Sequence, residues 1–514
     1  MIGGAGRSGR QAVTTVITGV LALAVACQAA ASPAPASVAA ASPGAPPTAR
    51  PSASSATETP SASPTLGIPH WESAGETTVE RLDARAVPLS SGRLLVLGNG
   101  QGSDGIQVPM SGEVWDPGTG VWTSTADLNN PRSDFAAVAL ANDQVLVAGG
   151  LNGEQPPQSY SSAYIYDARP GHEGWTKTGL MSAARTGPSA ATLPDGRVLV
   201  AGGYFHIAQY SGLDAGPEAV LAAYRPAPEI SSESTNLSLF DVDVGMAGAA
   251  LATAELFDPA TGAWTTTGPM NYARYRAPAV TLNDGRVLIV GTRTEADYRS
   301  VVVDPHAFNT AEIYDPATGR FTLTTELPGI DRAALEAGGE PGANPMPTDD
   351  GAMYDVGTLV ALQDGGALLI GQTRWWKHLA DMTRSFRFDA GSGTWSEFGQ
   401  PWVFVGEPTA VPLTTPGVRN LSGAMVAAMQ DGRVLIAGGG GNSPNGFGGR
   451  NADDIAELYD PATSEWVTLP PKPDGRSGGA VAALADGSVV LVGGLADPGS
   501  EAQTVLTSAV RLVP

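Results

Sequence analysis

One unit of sequence recurs seven times across residues 67–514, and a repeated strand unit cannot bury both of its own faces without stacking against its copies. The segment from Arg185 to Trp264 shows the unit in full. It contains an Ala/Val-rich strand (Ala190-Ala191-Thr192-Leu193), an Asp-Gly turn (Asp195-Gly196) and an apolar run, Val198-Leu199-Val200-Ala201, closed by Gly202-Gly203. After a variable loop come a strand ending Phe257-Asp258-Pro259 and a strand centred on Trp264. Further copies of the apolar run begin near Arg93, Gln144, Arg286, Gly366, Arg433 and Ser488.

Each part of the unit has a physical reason. The Asp-Gly pairs join two strands at positions where glycine takes a positive φ without steric penalty. The apolar run lacks polar alternation, as expected of a strand covered on both faces. The terminal glycine doublets suit a bulge or a close backbone approach. In the Asp-Pro-x-Thr-Gly turns at Asp116, Asp258 and Asp315, the aspartate side chain closes the turn. Trp122, Trp175, Trp264, Trp395 and Trp466 are large apolar plugs between layers.

Four antiparallel strands repeated about an axis define an all-β, seven-bladed β-propeller. The glycine doublet, the aromatic-Asp pair and the spaced Trp together resemble the Kelch repeat, although the first copy (Gly98-Asn99) and the fifth (Gly371-Gln372) lack the full doublet. The last unit ends at Leu512 after its third strand, so Ile68 to Glu72, with Trp71 in the fourth-strand position, is expected to close the ring by pairing the two ends of the domain. That closure removes the exposed sheet edges.

Some secreted Kelch-type propellers resemble copper-radical oxidases such as galactose oxidase, whose cofactor needs a cysteine crosslinked to tyrosine. The one cysteine here is Cys27. It follows Arg7, Arg10 and an apolar stretch too short to span a bilayer, and Leu23-Ala24-Val25-Ala26-Cys27 resembles a bacterial lipobox. Residues 1–26 are therefore read as a signal peptide and Cys27 as the lipidated residue, with plain secretion as the alternative. Residues 27–66, nearly all Ala, Ser, Pro and Thr, have no apolar periodicity and read as a disordered tether.

The chain carries 29 basic and 51 acidic residues, a net charge of -22, with no basic stripe, which excludes an extended nucleic-acid interface. Its five histidines are scattered without metal-ligand spacing. No nucleophile elbow or phosphate loop is present, and the glycine-rich stretch from Gly438 to Gly449 reads as a loop. Neither a cofactor nor a catalytic constellation is expected.

Two groups of residues remain. Glu113 and Arg132, Glu255 and Arg274, and Glu457 and Arg476 are each 19 residues apart and are expected to form structural charge-assisted bonds between blades. The long insertions are expected on one face, because successive connections in a blade alternate between faces. The candidate binding residues there are Tyr204, His206, Tyr210, Trp375, Trp376, His378 and Phe447, whose aromatic rings suit a carbohydrate or a peptide. The sequence thus reads as an extracytoplasmic binding propeller whose membrane contact is the lipid anchor. A sugar mutarotase or epimerase is the alternative, and an envelope scaffold the second.

Overall fold

The Asp-Gly turns act as predicted. In the computed structural model, Gly196 has φ +87, the Leu193 N–H donates to the Arg197 carbonyl at 2.7 Å, and Asp195 accepts the Arg197 N–H at 3.0 Å. The structure describes residues 69–514 apart from 83, 99–109, 129, 153–157, 207–247, 292–300, 303–306, 308–309, 329–352, 356, 377–378, 404–422, 440–453 and 497–503.

Seven blades of four antiparallel strands result, each running from an inner to an outer strand, and in blade 5 a fifth strand joins the sheet. Blade 3 is typical, with Ser189–Thr192, Val198–Ala201, Ala254–Asp258 and Ala263–Thr266 pairing antiparallel in that order. The inner strands of blades 1 to 7 are Arg85–Pro88, Ala136–Ala139, Ser189–Thr192, Ala279–Thr281, Thr358–Ala361, Met425–Ala428 and Ala480–Ala483. Each neighbours the next, and the seventh neighbours the first, so the ring is closed. The second strands of blades 1, 3, 4, 6 and 7 are buried along their whole length because adjacent blades cover both of their faces.

Closure takes the expected form. His70–Glu76 pairs antiparallel with Ser508–Val513, Trp71 opposite Leu512, and supplies the outer strand of blade 7. Outer-strand tryptophans do more than fill space, since in five blades the indole N–H ties its blade to the preceding one. Trp71 donates to Pro470 O at 2.9 Å, Trp122 to Ala74 O at 2.7 Å, Trp175 to Ala126 O at 2.8 Å and Trp395 to Thr324 Oγ1 at 3.1 Å.

Blade 5 carries strand rather than loop over most of its insertion, Gln372 to Arg384. Its second and third strands continue as a hairpin, Ala367–Trp376 against Leu379–Asp389, flanked by Met353–Asp355 and Thr394–Val403. The run Thr373-Arg374-Trp375-Trp376 is rich in β-branched and aromatic residues, and strand pairing satisfies its backbone where a loop could not.

On the tight-turn face, blades 1 and 2 are latched by Asp143. It accepts from Ser90 Oγ and the Ser91 N–H, both at 2.7 Å, and from Arg93 at 3.0 Å. Burial opposes ionisation of this carboxyl, yet hydrogen bonds from Ser91, Ser90 and Arg93 outweigh it and lower its pKa to about 2. A depressed pKa gives stability that is present above the ordinary carboxylate range, near pH 4, and lost as pH falls through about 2. Asp143→Asn is therefore expected to destabilise the propeller by about 2 kcal/mol at neutral pH, and by almost nothing at pH 2. Urea unfolding of both proteins at the two pH values checks this; a constant difference would show that ionisation of Asp143 is irrelevant.

Candidate functional site

Buried arginines underlie the face from which the long insertions emerge. Each lies on the segment entering a blade and turns its guanidinium into that blade. The glycine ending the second strand, always 17 residues further on, offers its carbonyl to Arg81, to Arg132 at 2.9 Å, to Arg185 at 2.8 Å, to Arg274 at 2.9 Å and to Arg476 at 3.2 Å.

Two of the three glutamates found from sequence, Glu113 and Glu255, are partners of arginines, but of different ones. Glu113 pairs with Arg81 at 2.7 Å, Glu255 with Arg185 at 3.0 Å, and Arg274 with Glu312 at 3.0 Å. The expected pairing of each Glu with the Arg 19 residues on is thus corrected: that Arg enters the following blade and turns away from the Glu. Each carboxylate also accepts backbone N–H groups of the segment entering its own blade, from Thr78 at 2.9 Å, Ser182 at 2.7 Å and Asn271 at 2.6 Å. Burial lowers the Arg185 pKa, opposed by Glu255.

Where the glutamate is missing, the site changes chemistry. Blade 2 has Tyr164 there, and Arg132 lies over the Tyr160 and Tyr164 rings at 4.6 and 5.0 Å, so cation–π attraction replaces the ion pair. Burial pulls the Arg132 pKa down to about 10, with Tyr164 and Tyr160 opposing. Blade 7 has Val510 at that position, and Arg476 binds Asp474 instead, at 2.5 Å. Glu457 of blade 6 is buried.

These arginines couple blades through their backbones. Gly150 and Gly203 N–H groups donate to the carbonyls of Arg185 and Arg274 in the next blade, both at 2.8 Å. A Cβ on the first glycine of the doublet would meet that carbonyl at 2.4 Å for Gly149, 2.5 Å for Gly202 and 2.2 Å for Gly438. The doublet thus marks where the next blade's backbone presses in.

Two residues beyond Arg132, Arg185, Arg274 and Arg476, and at the matching place after Leu421 in blade 6, the chain turns left-handed around the axis. Gly187, Gly423 and Gly478 have φ +58, +70 and +69, and Asp134 and Arg276 occupy the same position in blades 2 and 4 with φ +51 and +49. Successive members are hydrogen bonded: Gly187 N–H to Asp134 O at 2.7 Å, Arg276 N–H to Gly187 O at 2.9 Å, and Gly478 N–H to Gly423 O at 2.9 Å. Asp134 and Arg276 form an ion pair across blade 3. Blades two apart can touch only near the axis, where the ring is narrowest, so the pair sits at the axial mouth of the loop face. Its side chains are 18% and 23% exposed, unlike the sealed arginines beneath.

Tyr204 is 3% exposed, which corrects its reading as an exposed platform. It directly follows the glycine doublet, its backbone bridges Thr186, and its ring packs on Tyr275 of the next blade at 5.7 Å. His206 ends the strand Tyr204–His206, which pairs with Gly248–Ala250, and that strand pairs in parallel with Val301–Val302. The blade 3 insertion thus leaves and returns through a small sheet that also takes in blade 4. Trp375 stands opposite Met353 and Trp376 opposite Leu379 in the blade 5 hairpin. Tyr210, His378 and Phe447 lie outside the described residues.

The opposite face offers a groove of about 610 Å³ between blades 4 and 5, lined by Asn283, Asp284, Arg286 and Asp364. Its charges are consumed in the turns themselves: Arg286 binds Asp284 at 2.6 Å and Ala390 O at 3.1 Å. Among the described residues no three His, Cys, Asp or Glu side chains gather as metal ligands. The crosslinked copper site of the radical oxidases does not fit this chain, whose single cysteine precedes the repeats.

The fold is a Kelch-type seven-bladed β-propeller. No family model matches the chain. It is 27% identical over 195 residues to an N-acetylneuraminate epimerase of Brucella melitensis, a stretch covering 35% of this chain and 46% of that protein. It is 32% identical over 111 residues to the Kelch-like protein terF of Aspergillus terreus, covering 21% and 20%. The chain spans less than half the length of either relative. Among solved structures, a fungal alcohol oxidase of the AA5 family in complex with copper superposes with a TM-score of 0.51 over 87% of this chain and 77% of that one. At 16% identity that likeness shows the fold alone.

Proposed function

We propose that this chain is an extracytoplasmic, lipid-anchored propeller that binds a carbohydrate on its loop face, at the axial mouth. The observation that carries this reading is the sidedness of the ring. Tight turns close one face, whereas the strands at the two ends of the blade 3 insertion and the extended strands of blade 5 leave from the other, which also holds the partly exposed Asp134–Arg276 pair. Binding residues concentrate on such insertions when a rigid scaffold holds them. The local likeness to N-acetylneuraminate epimerase supports a sugar over a peptide, and it also favours a second reading, sugar epimerisation at the same mouth. The full chain screened on a glycan array is expected to retain a defined set of sugars, and Cys27→Ser is expected to move it from the membrane to the soluble fraction. Proton NMR of a retained sugar then separates binding from epimerisation by whether the enzyme speeds interconversion. An array with no retained glycan overturns the reading in favour of a peptide partner or a scaffold.

A further inference from the structure

Left-handed backbone disfavours side chains, and the ring around the axis respects this in blades 3, 6 and 7, where the residue is glycine. Blades 2 and 4 place Asp134 and Arg276 there instead, against a conformational penalty. Outliers of this kind gather where function requires them. The geometry points to Asp134 and Arg276 as the sugar-binding pair itself, and to an uncharged pyranose with adjacent hydroxyls as the ligand class. This inference rests on the carbohydrate reading above and narrows it to neutral sugars, in contrast to the acidic sugar in the Brucella relative's name.

The chemistry of the pair decides the ligand. Asp134 supplies only acceptors and Arg276 only donors. Adjacent sugar hydroxyls, each both donor and acceptor, can donate to the carboxylate and accept from the guanidinium while the ion pair stays intact. An acidic sugar must instead displace Asp134 from Arg276, inside the field of a chain of net charge -22. The pair is also held in place for such a task. Arg276 lies over the Tyr275 ring at 5.2 Å, and Tyr275 is buried. Gly187 between them has no alternative, since a Cβ there would meet the Tyr275 ring at 2.6 Å and Arg276 Cγ at 2.7 Å.

The test replaces each residue by the one its sister blades use. Asp134→Gly and Arg276→Gly, in the full chain, are titrated calorimetrically with methyl glucoside, galactoside and mannoside and with the matching hexuronic acids, and their melting temperatures are recorded. The wild type is expected to bind a neutral pyranoside in preference to its uronic acid. Each glycine variant is expected to lose at least about tenfold in affinity, a difference of about 1.4 kcal/mol, while melting at the same temperature or slightly higher because strain is relieved. Unchanged binding in either variant, preference for the uronic acid, or a loss of binding that accompanies a marked fall in melting temperature overturns the inference. The first two leave the carbohydrate reading standing; a wild type that binds no sugar removes both.

Discussion

Glu255→Ala is expected to destabilise the propeller by about 3–5 kcal/mol, because it strands a guanidinium that is fully buried. Arg185 is 0% exposed, and Glu255 is its carboxylate partner at 3.0 Å. The same carboxylate holds the Ser182 N–H at 2.7 Å, so its loss also leaves the segment entering blade 3 unanchored. Glu255→Gln keeps an acceptor in place and removes only the charge, so its effect is expected to be smaller, about 1–3 kcal/mol. Urea unfolding followed by tryptophan fluorescence ranks the two variants. A shift below about 1 kcal/mol for alanine would mean that water enters and solvates Arg185, contrary to the burial seen here.

Gly493→Ala strikes the junction at which the ring closes. Gly493 has φ +64, and a Cβ there would stand 2.2 Å from the carbonyl oxygen of Arg81 and 2.6 Å from its Cβ. Blade 1 would have to move away from blade 7, which also stretches the 2.8 Å bond from Gly494 N–H to the Arg81 carbonyl. Left-handed strain and overpacking together give an expected loss of about 2–5 kcal/mol. Gly262→Ala is the matched control: it has φ +69 with nothing within 4 Å, so only the backbone penalty of roughly 1–2 kcal/mol applies. Equal effects at the two sites would show that the close approach at Gly493 contributes nothing.

The architecture was legible because short-range chemistry dictates it. Asp-Gly turns, apolar second strands and outer tryptophans follow from the residues themselves, and the unpaired third strand at Leu512 pointed directly to Trp71. The arginine partners were not legible from the spacing used. Glu255 and Arg274 keep a constant separation because the outer hairpin and the following segment have constant length, which says nothing about contact. The constant 17-residue step from Arg81 to Gly98, or from Arg185 to Gly202, did report a contact. The true Arg–Glu separations of 32, 70 and 38 residues vary because the insertions lie between the partners. Tyr204 was misread because its position beside the glycine doublet, rather than its aromatic character, decides its burial. The Asp134–Arg276 pair left a faint signal, a charged residue two places after the arginine where blades 3 and 7 carry glycine, and only the ring geometry joins the two.

The strand that closes the ring is made long before its partner. Residues His70–Glu76 are synthesised first among the strands, but their partner around Leu512 follows about 440 residues later. At ~5–20 residues per second, the first strand waits roughly 20–90 s on the ribosome before its mate exists. An apolar strand left waiting so long invites pairing with a neighbouring nascent chain. His70-Trp71-Glu72-Ser73-Ala74-Gly75-Glu76 carries only two apolar side chains, and even in the finished ring most of its residues face solvent. Its hydrophilicity lets it remain unpaired in water until the other six blades are in place.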